Sequence, residues 1–167
     1  MRMSTLFYRL TSLVEPAGVP GAARPAILTD DAELDLLARW FDEFGRETGV
    51  TRGLPAADRA MVLGNAERGQ QTLLWCVDGL PVALAGHSAV RNGVSRIAPV
   101  YTPPEHRRRG YGAAATAAVV HSARALGAAE VTLFADADYP PANAVYRGLG
   151  FAAVTEFVHM ECRVRHA

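Results

Sequence analysis

The chain has 167 residues, half of them apolar, which is the length of one domain around one sizeable core. Seventeen basic side chains balance seventeen acidic ones, so no overall positive field argues for nucleic acid or an anionic membrane as partner. The two cysteines, Cys76 and Cys162, both lie in strand-like runs and read as buried thiols of a reducing compartment, not as a disulfide or a metal pair.

In chain order, the first thirteen residues carry Leu6, Phe7, Tyr8 and Leu10, but Arg2 and Arg9 bracket an apolar stretch too short for a signal peptide. No long apolar run follows, so a cytosolic location without a membrane span is expected. Thr5 to Leu13 reads as an extra edge strand and Glu15 to Gly21 as a linker. Residues 1–21 are thereby set apart from a domain over 22–167, to pack on that domain or on a second copy of the chain, giving a homodimer.

Arg24 to Leu28 reads as the first strand of the domain proper. Asp30 and Glu33 have the spacing of a capping box, and Gly49 closes the helix they open. Within it Leu34, Leu37, Phe41 and Phe44 repeat at the helical period and Trp40 widens the stripe, so this face belongs to the core. The opposite face, with Asp35, Arg39, Asp42, Glu43, Arg46 and Glu47, is mostly solvated charge. Pro55 suits the first turn of a second helix running to about Arg68.

Three strand signals come next, Gln71 to Val77, Pro81 to Ala89 and Val94 to Thr102. Asp78-Gly79 and Asn92-Gly93 join them as type I′ hairpin turns, whose two central residues both need positive φ. Pro99 cannot donate a ladder hydrogen bond, so it marks a bulge or an edge inside the third strand.

Arg107-Arg108-Arg109-Gly110-Tyr111-Gly112 then feeds a run of small residues with no helix breaker before Gly127. This describes a tight turn into a helix N-terminus, where unpaired N–H groups and the helix dipole favour an anion. No G-x-x-x-x-G-K-[ST] occurs, which excludes a P-loop. Gly110 to Ala115 fits the relaxed dinucleotide pattern with Glu130 at the acidic spacing, but no strand leads directly into it and too little chain follows for a doubly wound sheet. Glu130 to Ala135 reads as a strand reached by a parallel crossover. Asp138 reads as the cap of a final helix with Pro140 and Pro141 in its first turn and a stop at Gly148 or Gly150. From Phe151 onward strands return, and Val158, Met160, Cys162 and Val164 alternate with polar residues as in a half-buried strand.

The spacing Arg107-x-x-Gly110-x-Gly112, preceded by Val100-Tyr101-Thr102-Pro103-Pro104 and followed by Asn143-Ala144-Val145-Tyr146-Arg147-Gly148-Leu149-Gly150-Phe151, resembles the GNAT superfamily of acyl-CoA-dependent N-acyltransferases. The close match runs from about Pro81 to Phe151. It implies a mixed α+β fold with a central, mostly antiparallel twisted sheet of about six to seven strands, about four flanking helices and a bulged fourth strand. It also implies acetyl-CoA as acyl donor, no metal, and transfer of the acetyl group to a primary amine of a small molecule or protein by direct attack in a ternary complex.

By the same resemblance, Val100, Tyr101 and Thr102 meet the pantetheine arm and polarise the thioester carbonyl. Arg107, Arg108, Arg109, Gly110, Tyr111, Gly112 and Ala113 cradle the pyrophosphate, and Asn143 holds the pantetheine side. Tyr146 matches the family's tyrosine near the coenzyme sulfur and is the candidate general acid. One departure is Tyr139, which stands where many relatives carry an asparagine seven residues before that tyrosine. The base stays open among Glu43, Glu47, His87, Asp136 and His159, while His106, His121 and His166 read as surface residues. The competing readings are a non-catalytic acyl-CoA-binding or regulatory domain, and nucleic-acid contacts by Arg107 to Arg109. Zero net charge and the lack of interleaved aromatics argue against the latter.

Overall fold

A computed structural model describes residues 2–160 and places seven strands and four helices in them. In order these are β1 (Arg2–Leu10), β2 (Ala22–Pro25), α1 (Asp31–Thr48), α2 (Arg59–Glu67), β3 (Gln71–Val77), β4 (Leu80–His87), β5 (Val94–Tyr101), α3 (Tyr111–Ala125), β6 (Glu130–Asp136), α4 (Pro140–Gly148) and β7 (Phe151–Met160). The strands form one sheet in the order β2-β3-β4-β5-β6-β1-β7. Every neighbouring pair is antiparallel except β5 and β6, which run parallel.

Local chemistry accounts for most of these elements. The Asp30 side chain accepts the Glu33 N–H at 2.9 Å, and Gly49 ends α1 at φ 71°. The box is not reciprocal, because the Glu33 carboxylate turns outward to Arg24 at 2.7–2.8 Å. Asp78-Gly79 and Asn92-Gly93 both adopt positive φ at both positions, as the two hairpins need.

Two helix starts differ from the sequence reading. The second helix begins at Arg59, capped by Asp58 onto Met61 N–H at 2.8 Å, so Pro55 lies in the preceding loop. The cap of α4 is Tyr139, and Asp138 instead donates its own N–H to the Asp136 carboxylate. A side-chain cap outcompeted proline as a start signal in the first case, and a turn back onto the end of β6 displaced the cap in the second.

Two cores sandwich the sheet. On one face α1 and α2 bury Leu34, Leu37, Phe41 and Val62 against Leu74, Leu84 and Tyr101. On the other, α3 lays Ala115, Val119, Val120 and Ala123 against Ala83, Ala85, Ile97 and Leu133. Each fully buried Leu or Val is worth about 1.5–3 kcal/mol of transfer free energy. The alanines let α3 lie close to the sheet, because a small side chain adds little thickness between helix axis and strand.

The largest correction concerns the first strand. β1 is not an edge: it sits between β6 and β7, with Phe7 opposite Phe134 on one side and Thr155 on the other. Leu6, Tyr8 and Leu10 pack on the α3 core, and Tyr8 is fully buried. The apolar residues of Thr5 to Leu13 are thus consumed within the chain, which removes the reason for giving them to a second copy. The edge is β7, whose residues 152–159 are all exposed, unlike the half-buried strand read from the alternation. Cys162 and Val164, which shared that alternation, and His166 lie outside the described residues.

After β1, residues 11–21 strap across the helices of the α3 face. Thr11 and Val14 donate N–H groups to Gly150 and Leu149 at 3.0 and 2.9 Å, Glu15 pairs with His121 on α3, and the Trp75 indole donates to Pro20 at 2.9 Å. No helix among the described residues is long and apolar enough to cross a membrane.

Candidate acyl-CoA and acceptor site

The site begins where two strands part. Parallel pairing of β5 with β6 runs from Val94 opposite Glu130 to Ile97 opposite Leu133 and then stops. Beyond that point β5 continues through Tyr101 and β6 through Asp136, so the ends of the strands leave a wedge open between them. The register between β4 and β5 slips at the same place. His87 faces Ile97, yet Ala85 faces Val100, so Ala98 and Pro99 together oppose the single residue Gly86. This is the expected bulge, on the fourth strand of the domain counted from β2.

The bulge re-aims the side chains that follow it. Ser95 and Ile97 point to the α3 side, where Ser95 meets His87 and Ile97 joins the core. After the slip Val100 packs on that same side and Tyr101 on the α1 side. One strand end therefore serves both faces of the sheet, Val100 toward one and Tyr101 toward the other.

At the mouth of the wedge stands the N-terminus of α3. Its cap is Gly110, in the left-handed region at φ 80°, with no side-chain cap and no acidic residue in the first turn. The N–H groups of Tyr111, Gly112 and Ala113 are left without intrahelical acceptors, as at every helix start. Here no serine, threonine or aspartate substitutes for one, so they are free to take an anion. Arg108, at φ 62°, and Gly110 alternate left-handed with ordinary residues, the pattern that turns successive N–H groups toward one point. Space is close as well: a Cβ at Gly110 would come within 3.0 Å of Val19 in the strap, and one at Gly112 within 3.3 Å of the Thr102 hydroxyl. The residues present fit a pyrophosphate group, with the exposed Arg108 and Arg109 adding positive potential.

Arg107 is used differently from its two neighbours. Its Nε donates to the Thr102 carbonyl at 2.8 Å, its Nη2 to the Glu47 carboxylate at 2.7 Å, and its guanidinium lies 5.8 Å from the Tyr101 ring centre. It ties the loop before α3 to the end of β5 and to α1, and those contacts raise its pKa above the usual arginine range, led by the hydrogen bond to Glu47.

On the far side of the wedge, Asn143 is 4 % exposed. It accepts the Tyr8 hydroxyl at 2.7 Å and gives both amide hydrogens away, to the Asp136 carbonyl at 2.8 Å and the Tyr139 carbonyl at 3.0 Å. Its side chain fixes α4 to the ends of β1 and β6, and only a second lone pair on Oδ1 is left for a ligand. Nothing in the sequence pairs Tyr8 with Asn143, because they are 135 positions apart. One turn further on, Tyr146 is half-buried, its ring 6.2 Å from those of Tyr8 and Phe151. Its hydroxyl makes no hydrogen bond within the described residues, and burial pushes its pKa up to about 12. Tyr139 is exposed at the N-terminus of α4.

The five candidate bases separate clearly. His87 is fully buried and satisfied: Nδ1 lies 2.9 Å from the Ser88 carbonyl, which can only accept, so Nδ1 carries the hydrogen and Nε2 accepts from Ser122 at 2.9 Å. Glu47 is held by Arg107. Asp136 is exposed and accepts the Asp138 N–H, and His159 is exposed on β7 opposite Met3. Glu43, half-buried on α1, accepts the Tyr101 hydroxyl at 2.7 Å. Burial, followed by the hydrogen bond to Glu43, raises the Tyr101 pKa well above the ordinary phenol value. No group of three or more histidine, cysteine or carboxylate side chains with metal-binding geometry occurs among the described residues.

Similarity to known proteins agrees with this fold. Among solved structures, an acetyltransferase of the GNAT family from Novosphingobium aromaticivorans superposes with a TM-score of 0.66 at 23% identity, covering 95% of this chain and 63% of its own. A GCN5-related N-acetyltransferase from Kribbella flavida gives 0.64 at 26% identity, covering 95% and 57%. A ribosomal-protein-alanine N-acetyltransferase from Brucella melitensis gives 0.64 at 19% identity, covering 77% and 83%. The chain thus spans about three fifths of the length of the first two, and no functionally curated protein matches it. The family model for the GNAT acetyltransferases matches residues 34–151, from α1 to the start of β7, and the chain belongs to that family.

Proposed function

We propose that the chain is an acetyl-CoA-dependent N-acetyltransferase that acts on a primary amine by direct attack within a ternary complex. The observation that carries this reading is a coincidence of two local features. β5 and β6 part at Ile97 and Leu133, beside a bulge after which Val100 and Tyr101 pair with β4 alone and leave their β6-facing edge open, and the uncapped amides of Tyr111, Gly112 and Ala113 stand at the opening.

Acetyl-CoA brings a thioester, already activated toward nitrogen nucleophiles. The chain's own residues orient it and manage charge and protons. Tyr111, Gly112 and Ala113 offer N–H groups to the pyrophosphate, with Arg108 and Arg109 adding attraction. The backbone of Val100, Tyr101 and Thr102 pairs with the pantetheine amides in the manner of an added strand and gives an N–H to the carbonyl oxygen as its negative charge grows. Asn143 sets the position of α4. Tyr146, kept protonated by its buried setting, donates its proton to the thiolate as the carbon–sulfur bond breaks, and its phenolate is reprotonated by the proton that nitrogen sheds as the amide forms.

The direct test is release of free thiol from acetyl-CoA across a panel of primary amines, with the acetylated product identified by mass. Amine-dependent release supports the proposal. Saturable acetyl-CoA binding without transfer to any amine would instead make the domain an acyl-CoA-binding or regulatory module.

A further inference from the structure

On the α1 side of the sheet, a cavity of about 340 Å³ opens between α1 and the end of β5. Trp40, Glu43 and Glu47, at positions i, i+3 and i+7, present one face of α1 to it, and Tyr101 forms the opposite wall. The Trp40 and Tyr101 rings lie 6.1 Å apart and tilted, giving the cavity an aromatic floor.

The charges around this floor are not equivalent. Glu47 is neutralised by Arg107, and Glu105 and Arg39 are exposed. Glu43 is half-buried, and its only partner among the described residues is the uncharged Tyr101 hydroxyl, which occupies Oε2. Its other oxygen is unpartnered, and no cation lies within ion-pair distance of it among those residues. A half-buried carboxylate with one unpartnered oxygen, fixed in direction by a tyrosine that is 4 % exposed, is built to receive a donor with positive charge. That tyrosine is the last residue of β5, so the carboxylate is aimed at the end of the strand expected to hold the thioester.

We infer that Glu43, held by Tyr101, binds the ammonium of the acceptor, and that the acceptor is an alkylamine with no carboxylate near its amine, its methylenes lying on Trp40 and Tyr101. The inference rests on the proposed acetyl transfer for the placement of the acyl group. The geometry adds the class of substrate. With Glu47 paired to Arg107, and Glu105 and Arg39 opposite in sign and both exposed to screening solvent, the uncompensated charge of the cavity is that of Glu43, which disfavours an anionic tail. When Glu43 takes one proton from the bound ammonium, the neutral amine that remains has the lone pair needed for attack, so recognition and deprotonation use the same oxygen.

The test uses the protein saturated with coenzyme A and titrates two amines of equal length by calorimetry, 1,4-diaminobutane and 4-aminobutyrate. The diamine is expected to bind at least tenfold more tightly. Glu43→Gln keeps an oxygen for Tyr101 and removes the charge. It should weaken diamine binding at least tenfold and leave coenzyme A affinity unchanged, which also reports that the variant is folded. Equal or tighter binding of 4-aminobutyrate, failure of the diamine to bind, or a Glu43→Gln variant with wild-type diamine affinity would each overturn the inference. Failure of coenzyme A itself to bind would instead remove the acetyl-transfer reading beneath it.

Discussion

Tyr146 illustrates how its surroundings set the protonation of a side chain. In water a phenol titrates near pH 10, whereas burial beside Tyr8 and Phe151 holds this one protonated to about 12. The thermodynamic consequence has a definite sign. Between about pH 10 and 12 the unfolded chain has lost this proton and the folded one retains it, so stability falls as pH rises through that window and is fully present below it. Two pKa units correspond to about 3 kcal/mol at most. Tyr146→Phe keeps the ring and removes the hydroxyl, so urea unfolding of the variant should show a shallower decline over the same window. In turnover the same variant should lose about 10²-fold or more of kcat, the usual contribution of a positioned acid, with coenzyme A affinity preserved. An unchanged rate would remove Tyr146 from the mechanism.

Much of this site was readable one residue at a time, and the reason is local chemistry. Pro99 announced its bulge because a missing N–H cannot be hidden in a ladder, and Gly110 announced its turn because few other residues accept φ 80°. The pairs were not readable. Tyr8 with Asn143 and Tyr101 with Glu43 are joined across 135 and 58 positions, and no spacing rule reaches that far. The same limit left five bases open, since His87 and Glu43 differ only in the company that folding gives them.

At the scale of elements, the junction of strap and α3 is the most sensitive point. Gly110 needs its positive φ, and the space its missing Cβ leaves is taken by Val19. Gly110→Ala should therefore cost about 1–2 kcal/mol for the left-handed backbone, and the contact with Val19 adds to that. Because the same residue caps α3, acetyl-CoA affinity should fall at least tenfold while the cavity proposed for the amine, on the opposite face, keeps its affinity for 1,4-diaminobutane. Calorimetry with both ligands checks this, and equal losses for the two would mean that the whole domain had loosened. Hairpins and helix caps among these elements were legible because Asp78-Gly79, Asn92-Gly93 and Asp30 act on their immediate neighbours. The start of α2 was not, because Pro55 and Asp58 both open helices and only the one whose side chain reaches Met61 did so.

For the whole molecule, the governing fact is that Arg2–Leu10 supply an interior strand. β1 pairs with β6 on one side and β7 on the other, so its removal would leave β7 without a partner and β6 with β5 alone, and expose the α3 core beneath Leu6, Tyr8 and Leu10. Deleting residues 1–10 is expected to abolish cooperative thermal unfolding measured by circular dichroism, whereas a true edge strand could be lost with a drop of a few degrees. Sequence alone placed this strand at the margin, because which strands it joins is a non-local choice that the alternation Leu6, Tyr8, Leu10 does not encode.

The central claim is that the wedge between β5 and β6 and the start of α3 form one acyl-CoA site. Amide proton–nitrogen spectra of labelled protein during titration with acetyl-CoA test it most directly. The account predicts that the resonances of Tyr111, Gly112 and Ala113 and those of Val100, Tyr101 and Thr102 shift together along one saturable curve, and that NADH leaves them in place. Saturable acetyl-CoA binding that leaves these amides unmoved, or no binding at all, would contradict it.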